Sequence, residues 1–399
     1  MMGQGVIAPV LPLFAKDFGV SAAVVVATVG VFGIGRLLAN IPGGFLSQKF
    51  GRRLVMGCGL VLAAVGSAMM GFSYSIPELV AWRFIAGVGG ALFTTGSFAY
   101  LADISTPENR GKFMSLQQGS LLIGVNLGPI LGGFVAEHLG YRWAFYMTGI
   151  LIGVSAIWTL SKLPDYKPAN ASVKASPQET AKPQRSSDLH VALGLLTNPT
   201  FLMVNIFTMV VFFTRTGSLQ SMVPLKAEGE LGMSPSQLGL LFSASMAVNM
   251  LFVLPVGSLT DRIGRKAVIL PGIILSFISL AMFALGSSVW MFFLAAIVYG
   301  MGIGIVGPAP AAYVGDMVPK GKSGLTMGIY RSFGDLGFII GPTLLGTIAD
   351  RTTLSDAIWV NSALTILSGI ALILIAKETL VRSRPGKQGQ DTQGTTQKK

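Results

Sequence analysis

Five ionisable side chains fall inside otherwise apolar stretches of this chain: Asp335, Arg331, Arg215, Arg83 and Arg36. At the centre of a bilayer an Arg or Asp costs about 2.5–3.5 kcal/mol on insertion scales, so such groups serve proton relay, ion pairing or solute recognition. Asp335 is the one acid clearly placed in such a stretch, which makes it the candidate proton-coupling group. Arg331, four residues earlier on one helical face, offers a purely structural ion pair as the alternative. Arg83 lies only about five residues into its helix, from where it can snorkel outward. Arg36 stands about two turns from the next loop. Arg215 has no partner on its own helix, so it reaches Asp335 or faces a cavity. The embedded charge sums to about +3, which favours anionic or electron-rich solutes. Gln117, Gln118, Asn126, Gln220 and Asn249 are candidate hydrogen-bonding groups of a substrate cavity, with helix–helix contacts as the alternative for each. Tyr330, with Phe207, Phe212 and Phe213, is a candidate for an apolar wall, and lipid-facing positions are the alternative.

The elements that hold these groups are membrane helices. The chain is 51% apolar and 12% charged, against about 25% charged in soluble domains. A helix spanning the hydrocarbon needs about 20 mostly apolar residues. Apolar runs at 3–15, 22–46, 54–73, 78–102, 112–137, 142–161, 199–225, 236–259, 267–286, 289–314, 323–347 and 357–376 predict an all-α integral membrane protein of twelve transmembrane helices. With the N-terminus cytoplasmic, the inside holds most Lys and Arg, and the outside only Lys16, Arg142, Lys226 and Arg351. The positive-inside rule selects that orientation, with both termini cytoplasmic in a cell membrane. The first run, 3–15, rises only about 20 Å against a hydrocarbon core of about 30 Å. A longer native N-terminus is expected, with a short or re-entrant first helix as the alternative. Residues 162–197, rich in Lys, Pro, Ser, Gln and Ala, read as a flexible cytoplasmic linker between bundles at 1–161 and 198–380. Residues 381–399 read as a disordered cytoplasmic tail.

The two bundles repeat at an offset of 213 residues, as from Gly44 to Gly257. Without a gap, Gly51 and Arg52 fall on Gly264 and Arg265, and Tyr100 and Asp103 on Tyr313 and Asp316. Gly128, Pro129 and Gly133 fall on Gly341, Pro342 and Gly346, and Glu137 on Asp350. Chance pairs glycines in Gly-rich helices, but not Asp, Tyr, Arg and Gly-Pro together. Parallel repeats of this kind place a substrate site between the halves near the bilayer midplane.

With these residues in view, the chain resembles the major facilitator superfamily over nearly its whole length. The stretch GSLTDRIGRK at 257–266 is similar to that family's loop signature, through Gly257, Asp261, Arg262, Gly264, Arg265 and Lys266. GFLSQKFGRR at 44–53 repeats it through Gly44, Gly51, Arg52 and Arg53, with Gln48 where the signature has an acid. Glycine permits close helix approach and the tight turn, and the acid can meet a basic group or a helix N-terminus. The resemblance implies that these loops form a cytoplasmic gate that latches the outward-facing state, with Asp261 alone supplying the acid and Arg36, about two turns from the first loop, read as an anchor of the gate. GVNLGPILGG at 124–133 resembles the helix-five signature of exporters and antiporters, through Gly124, Gly128, Pro129, Gly132 and Gly133. APVLP at 8–12 and WRFIAGVGG at 82–90 resemble patterns of the twelve-helix drug–proton antiporters, the second placing Arg83 at that pattern's arginine, which implies a role in proton or substrate handling as the alternative to snorkelling.

Other chemistries fail on spacing or context. Gly321-Lys322-Ser323 resembles a phosphate loop, but Gly315 leaves five residues between the glycines where four are needed. Gly300, Gly302 and Gly304 lie within a helix and not after a strand, which suits close helix packing instead of a dinucleotide. Cys58, His138 and His190 are too few and too dispersed for a metal site. The +12 net charge is scattered over short loops with no soluble module to bind nucleic acid. The expectation is a monomeric, non-enzymatic secondary transporter without cofactor, exporting a small organic solute or drug in exchange for protons. The rivals are an uptake porter for an organic anion or sugar, and a non-transporting receptor, the latter motivated by Gln48.

Overall fold

A computed structural model describes residues 2–105, 110–164, 185–319 and 322–378. Among these the secondary structure is helical. The N-terminal bundle comprises α1 (Met2–Lys16), α2 (Ala22–Phe50), α3 (Arg52–Gly71), α4 (Ile76–Ile104), α5 (Arg110–Leu139) and α6 (Tyr141–Lys162). A short α7 (Arg185–Thr197) precedes the C-terminal bundle. That bundle comprises α8 (Pro199–Leu231), α9 (Pro235–Ile263), α10 (Arg265–Leu285), α11 (Val289–Asp316), α12 (Ser323–Arg351) and α13 (Leu354–Ile375). Every expected span falls on one of these helices. Ten of them are long and apolar enough to cross a membrane. The other two bundle helices are α1, with 15 residues, and α5, whose apolar character is diluted by Gln117, Gln118, Ser120 and Asn126.

Sequence punctuation sets the boundaries. Pro77, Pro199 and Pro235 open helices in the first turn, where a missing N–H costs nothing. Ser234 and Gln237 form a capping box at the start of α9. Gly51 and Gly264 take φ of +91° and +103°, so α2 turns into α3, and α9 into α10, at repeat-related residues that L side chains would strain. Outward surfaces are apolar: Trp290 is 84% and Leu374 77% exposed, as lipid-facing positions should be.

The linker expectation needs correction at its C-terminal end. Residues 185–197 form α7 because Val191, Leu195 and Leu196 pack onto the apolar core of the C-terminal bundle. Residues 165–184 of the linker and the tail 381–399 lie outside the described residues. Lys226 is likewise not a loop residue. It sits within α8, 2% exposed, donating to the Ala284 carbonyl at 2.5 Å and the Ser355 hydroxyl at 2.6 Å.

The halves meet where α2 crosses α12 and α5 crosses α9. At the end bearing residues 17–21, carboxylates from each half cap helices of the other. Glu137 accepts from the Ser236 amide at 2.9 Å, and Asp350 from the Ala23 amide at 3.1 Å. Lys16 at the end of α1 also pairs with Glu228 of α8. Both Glu137 and Asp350, and both Ser236 and Ala23, are related by the 213-residue repeat.

Candidate functional site

Between the halves lies a cleft of about 570 Å³, walled by Phe32, Arg36 and Arg83 on one side and by Phe212, Arg215 and Phe338 on the other. Gln4 of α1 and Gln220 of α8 also line it. A space of about 640 Å³ runs from Arg36 and Arg83 into the N-terminal bundle, past Leu60, Ala63, Phe93 and Ile152. Smaller spaces of about 410 and 440 Å³ continue past Gln220 and Met246 to Asn249 and Tyr299. The rings of Phe32 and Phe338 face each other across the halves with centroids 6.3 Å apart.

The C-terminal wall rests on a π-helical segment, Thr214–Met222, in the middle of α8. Its sequence, TRTGSLQSM, supplies hydroxyls where a widened helix loses regular backbone pairing. Thr214 donates to Asn361 of α13 at 3.0 Å, and Asn361 donates to Ser218 at 2.7 Å. Ser221 donates to the Thr216 carbonyl at 2.7 Å. The extra residue per turn places Arg215 and Gln220 on the cleft together. Asn361, fully buried, is therefore a positioning residue. Asn361→Ala removes the donor to the Ser218 hydroxyl and leaves Thr214 only the Thr365 hydroxyl, 3.2 Å away; it is expected to cost about 1–3 kcal/mol, read as a fall in thermal unfolding temperature of the purified protein. A variant as stable as the parent would show that the π segment holds itself.

Asp335 of α12 is 6% exposed and joins the halves. Its Oδ1 lies 3.5 Å from Arg36 of α2, and its Oδ2 accepts from Asn40 of α2 at 3.2 Å. The expected structural pair with Arg331 is corrected here. Arg331 shares a helical face with Asp335 but is exposed and turns its guanidinium to the Phe98 ring of α4, 5.1 Å from the ring centre, while Asp335 takes its close partners from α2. Arg36, read as a gate anchor, stands at the cleft. Arg83 is 6% exposed, so it does not snorkel. Its guanidinium sits 4.6 Å from the Phe32 ring centre, and its Nε has no hydrogen-bond partner. Of the alternatives for Arg215, the structure shows the cavity-facing one.

The polar candidates divide. Gln220 and Asn249 line cavities. Gln117 instead donates to Ser97 within its own half at 3.0 Å. Asn126 lies at the α5–α9 crossing, where its backbone carbonyl accepts from the Ser243 hydroxyl at 2.6 Å. Tyr330 packs against the core of the C-terminal bundle with Tyr313, while Phe207 and Phe213 are buried and Phe212 lines the cleft. The side chains of Gln48, Gln118, Asp261 and Arg262, and Gly257, lie outside the described set. Sequence reasoning missed Gln4, Phe32, Phe338, Met246 and Tyr299 as lining. Only Gln4, polar in an apolar first helix, carried a signal.

The loop residues form matching networks within each half. Arg52 pairs with Asp103 at 2.9 Å and donates to Ser47 at 3.1 Å. Arg265 pairs with Asp316 at 3.2 Å and donates to the Thr260 carbonyl at 2.9 Å. Arg53 donates to the Leu160 carbonyl, and Lys266 to that of Ile373 at 2.8 Å. Every one of these partners is related by the same repeat. Gly44 meets nothing within 4 Å of a built Cβ. In α5, Gly124, Gly128 and Gly132 face the α1 backbone, Pro129 borders a small cavity, and Gly133 faces α9 of the other half.

A charged cleft between two like bundles of membrane helices is the architecture of a secondary transporter. The chain belongs to the Major Facilitator Superfamily, whose model matches residues 1–228 and 206–398, and it is a multi-pass membrane transporter of that family. It is 24% identical to the quinolone resistance protein NorA of Staphylococcus aureus over 383 residues, covering 94% of this chain and 93% of that one. An uncharacterised MFS-type transporter of Methanocaldococcus jannaschii is also 24% identical, over 93% of each chain. Among solved structures, a bacterial homologue of the human lysosomal transporter Spinster superposes with a TM-score of 0.76 at 15% identity, over 94% of this chain and 93% of that one. The D-xylose-proton symporter does so at 0.74 and 17%, over 95% of each.

Proposed function

We propose that this protein exports a small organic solute in exchange for protons by alternating access, working as a monomer in the cell membrane with both termini in the cytoplasm. The observation that carries the reading is the Asp335–Arg36 contact at 3.5 Å, which ties the two halves beside the cleft. A carboxylate that crosses between moving bodies can exchange an arginine for a proton as they part. The antiporter-like run Gly124–Gly133 and the likeness to a quinolone resistance protein support export. The basic loops favour placing the sealed end, with residues 17–21, outside.

Purified protein in liposomes with an acidic lumen tests this, using a panel that includes a quinolone, sugars and organic acids. Accumulation driven by outward proton flow is the expected result. Accumulation only with an acidic exterior would instead establish symport and therefore uptake. That second reading has a specific motive in the arginines of the cleft, and an organic anion transporter is among the fold's neighbours at a TM-score of 0.64. Binding without flux in either gradient would leave a receptor.

A further inference from the structure

We propose that the solute class is organic monoanions: the anionic group is held by Arg83, and the apolar body enters the space inside the N-terminal bundle. The proposal rests on the transport reading above and names what that cleft takes.

Arg83 is a buried cation without an internal counter-ion. It is 6% exposed, its Nε has no hydrogen-bond partner, and no carboxylate stands within ion-pair distance of it among the described residues. Its contact with Phe32 at 4.6 Å offsets only part of the cost of burying an ion. Arg36 differs, since Asp335 meets its charge. The shortage recurs across the cleft. Arg215 faces the cleft with no described carboxylate beside it, and Tyr299, 1% exposed, has an unpartnered hydroxyl beside the same arginine. Three arginines and one acid therefore leave two positive charges in a low-dielectric space, which repels a cation and rewards an anion.

The shape of the space defines the rest of the solute. From Arg83 and Arg36 it extends between Leu60, Ala63, Phe93 and Ile152. Gly90 borders it, and a Cβ built there meets only the Phe32 ring, at 3.4 Å. A head group at Arg83 thus projects its carbon skeleton into an apolar chamber, where burial of rings or methylenes supplies affinity.

The test is equilibrium binding to the full chain in nanodiscs, using 2-naphthoate, 4-phenylbutyrate and octanoate, each beside its primary amide and the amine of the same skeleton. The acid is expected to bind at least about tenfold tighter than its amide and its amine in one or more skeletons. Arg83→Gln should bring the acid-to-amide ratio to about one while the amide is unaffected, and Arg83→Lys should retain part of the preference. Removing an uncompensated buried charge should not unfold the protein. Gly90→Leu, which fills the chamber and leaves the charge, should weaken acid and amide alike. The proposal is overturned if no acid binds, if amides or amines bind as tightly as acids, or if Arg83→Gln keeps the ratio. Flux is read in the same preparation after reconstitution. Anion binding with no flux removes the transport reading and keeps the site, whereas proton-driven flux of amines without acid preference does the reverse.

Discussion

Asp335→Asn is expected to abolish solute accumulation driven by a pH gradient, by about a hundredfold or more, while solute exchange without a gradient stays within about threefold. The asymmetry follows from the geometry. Asparagine keeps an acceptor for Asn40 and a shape that fills the same space, but it cannot carry a proton or balance the Arg36 charge. Exchange requires only that loaded halves rock. Net coupled transport requires that the site change charge between the two states. The contact also has a thermodynamic signature. Arg36→Gln alone leaves a 6%-exposed carboxylate with no cation at 3.5 Å, and breaking such a pair costs about 3–5 kcal/mol when both partners are buried. Arg36 is 30% exposed at its side chain, so the loss here should fall below that range. The double variant Arg36→Gln, Asp335→Asn should recover much of it. Unchanged proton coupling in Asp335→Asn would remove the residue from the mechanism, whatever the stabilities show.

The fate of Asp335 also shows where a single sequence stops being informative. Its depth in the membrane was legible from composition alone, because a lone acid in an apolar run stands out at a cost of about 2.5–3.5 kcal/mol. Its partner was not. Arg331 was nearest along the chain, but Arg36 and Asn40 are nearest in space, and helix azimuth between separate bundles leaves no mark on either segment. The repeat carried much further. It aligned Arg52 with Arg265 and Asp103 with Asp316, and the structure adds that Arg52 with Asp103, and Arg265 with Asp316, form an ion pair within each half. The π segment was hidden because hydroxyl-rich runs also occur in regular helices, and only the distant Asn361 shows what TRTGSLQSM is for. Tyr299 and Phe338 were hidden for a plainer reason, since an aromatic in a membrane helix faces lipid, core or cleft with the same sequence.

Gly133→Leu is expected to reduce coupled transport by about tenfold to a hundredfold and to open the end of the molecule that bears residues 17–21. At this crossing a Cβ on residue 133 would lie 3.0 Å from the Pro235 carbonyl carbon and 3.1 Å from the Gly239 Cα. These are backbone atoms of the opposite half, so a leucine is accommodated only if α5 and α9 separate. The repeat places Gly346 at the equivalent crossing, where a Cβ would lie 2.7 Å from the Ala23 Cα of α2. Each glycine stands one turn before an acid that caps the opposing helix, Glu137 on Ser236 at 2.9 Å and Asp350 on Ala23 at 3.1 Å. Glycine permits the approach, and the carboxylate answers the partial positive charge that the approach exposes at a helix N-terminus. The seal is thus one device used twice, and wedging either copy should tilt the same equilibrium. Overpacking of this kind costs about 1–3 kcal/mol, which is enough to invert a modest preference for the closed state without unfolding either bundle. Spin labels on the ends of α5 and α9 should report a longer separation in Gly133→Leu, and labels on α2 and α12 should lengthen with them. Glu137→Gln should move both distances the same way by less, since it keeps a neutral acceptor. Unchanged distances at both crossings, or lengthening at one crossing only, would mean that the two copies do not act as a single seal.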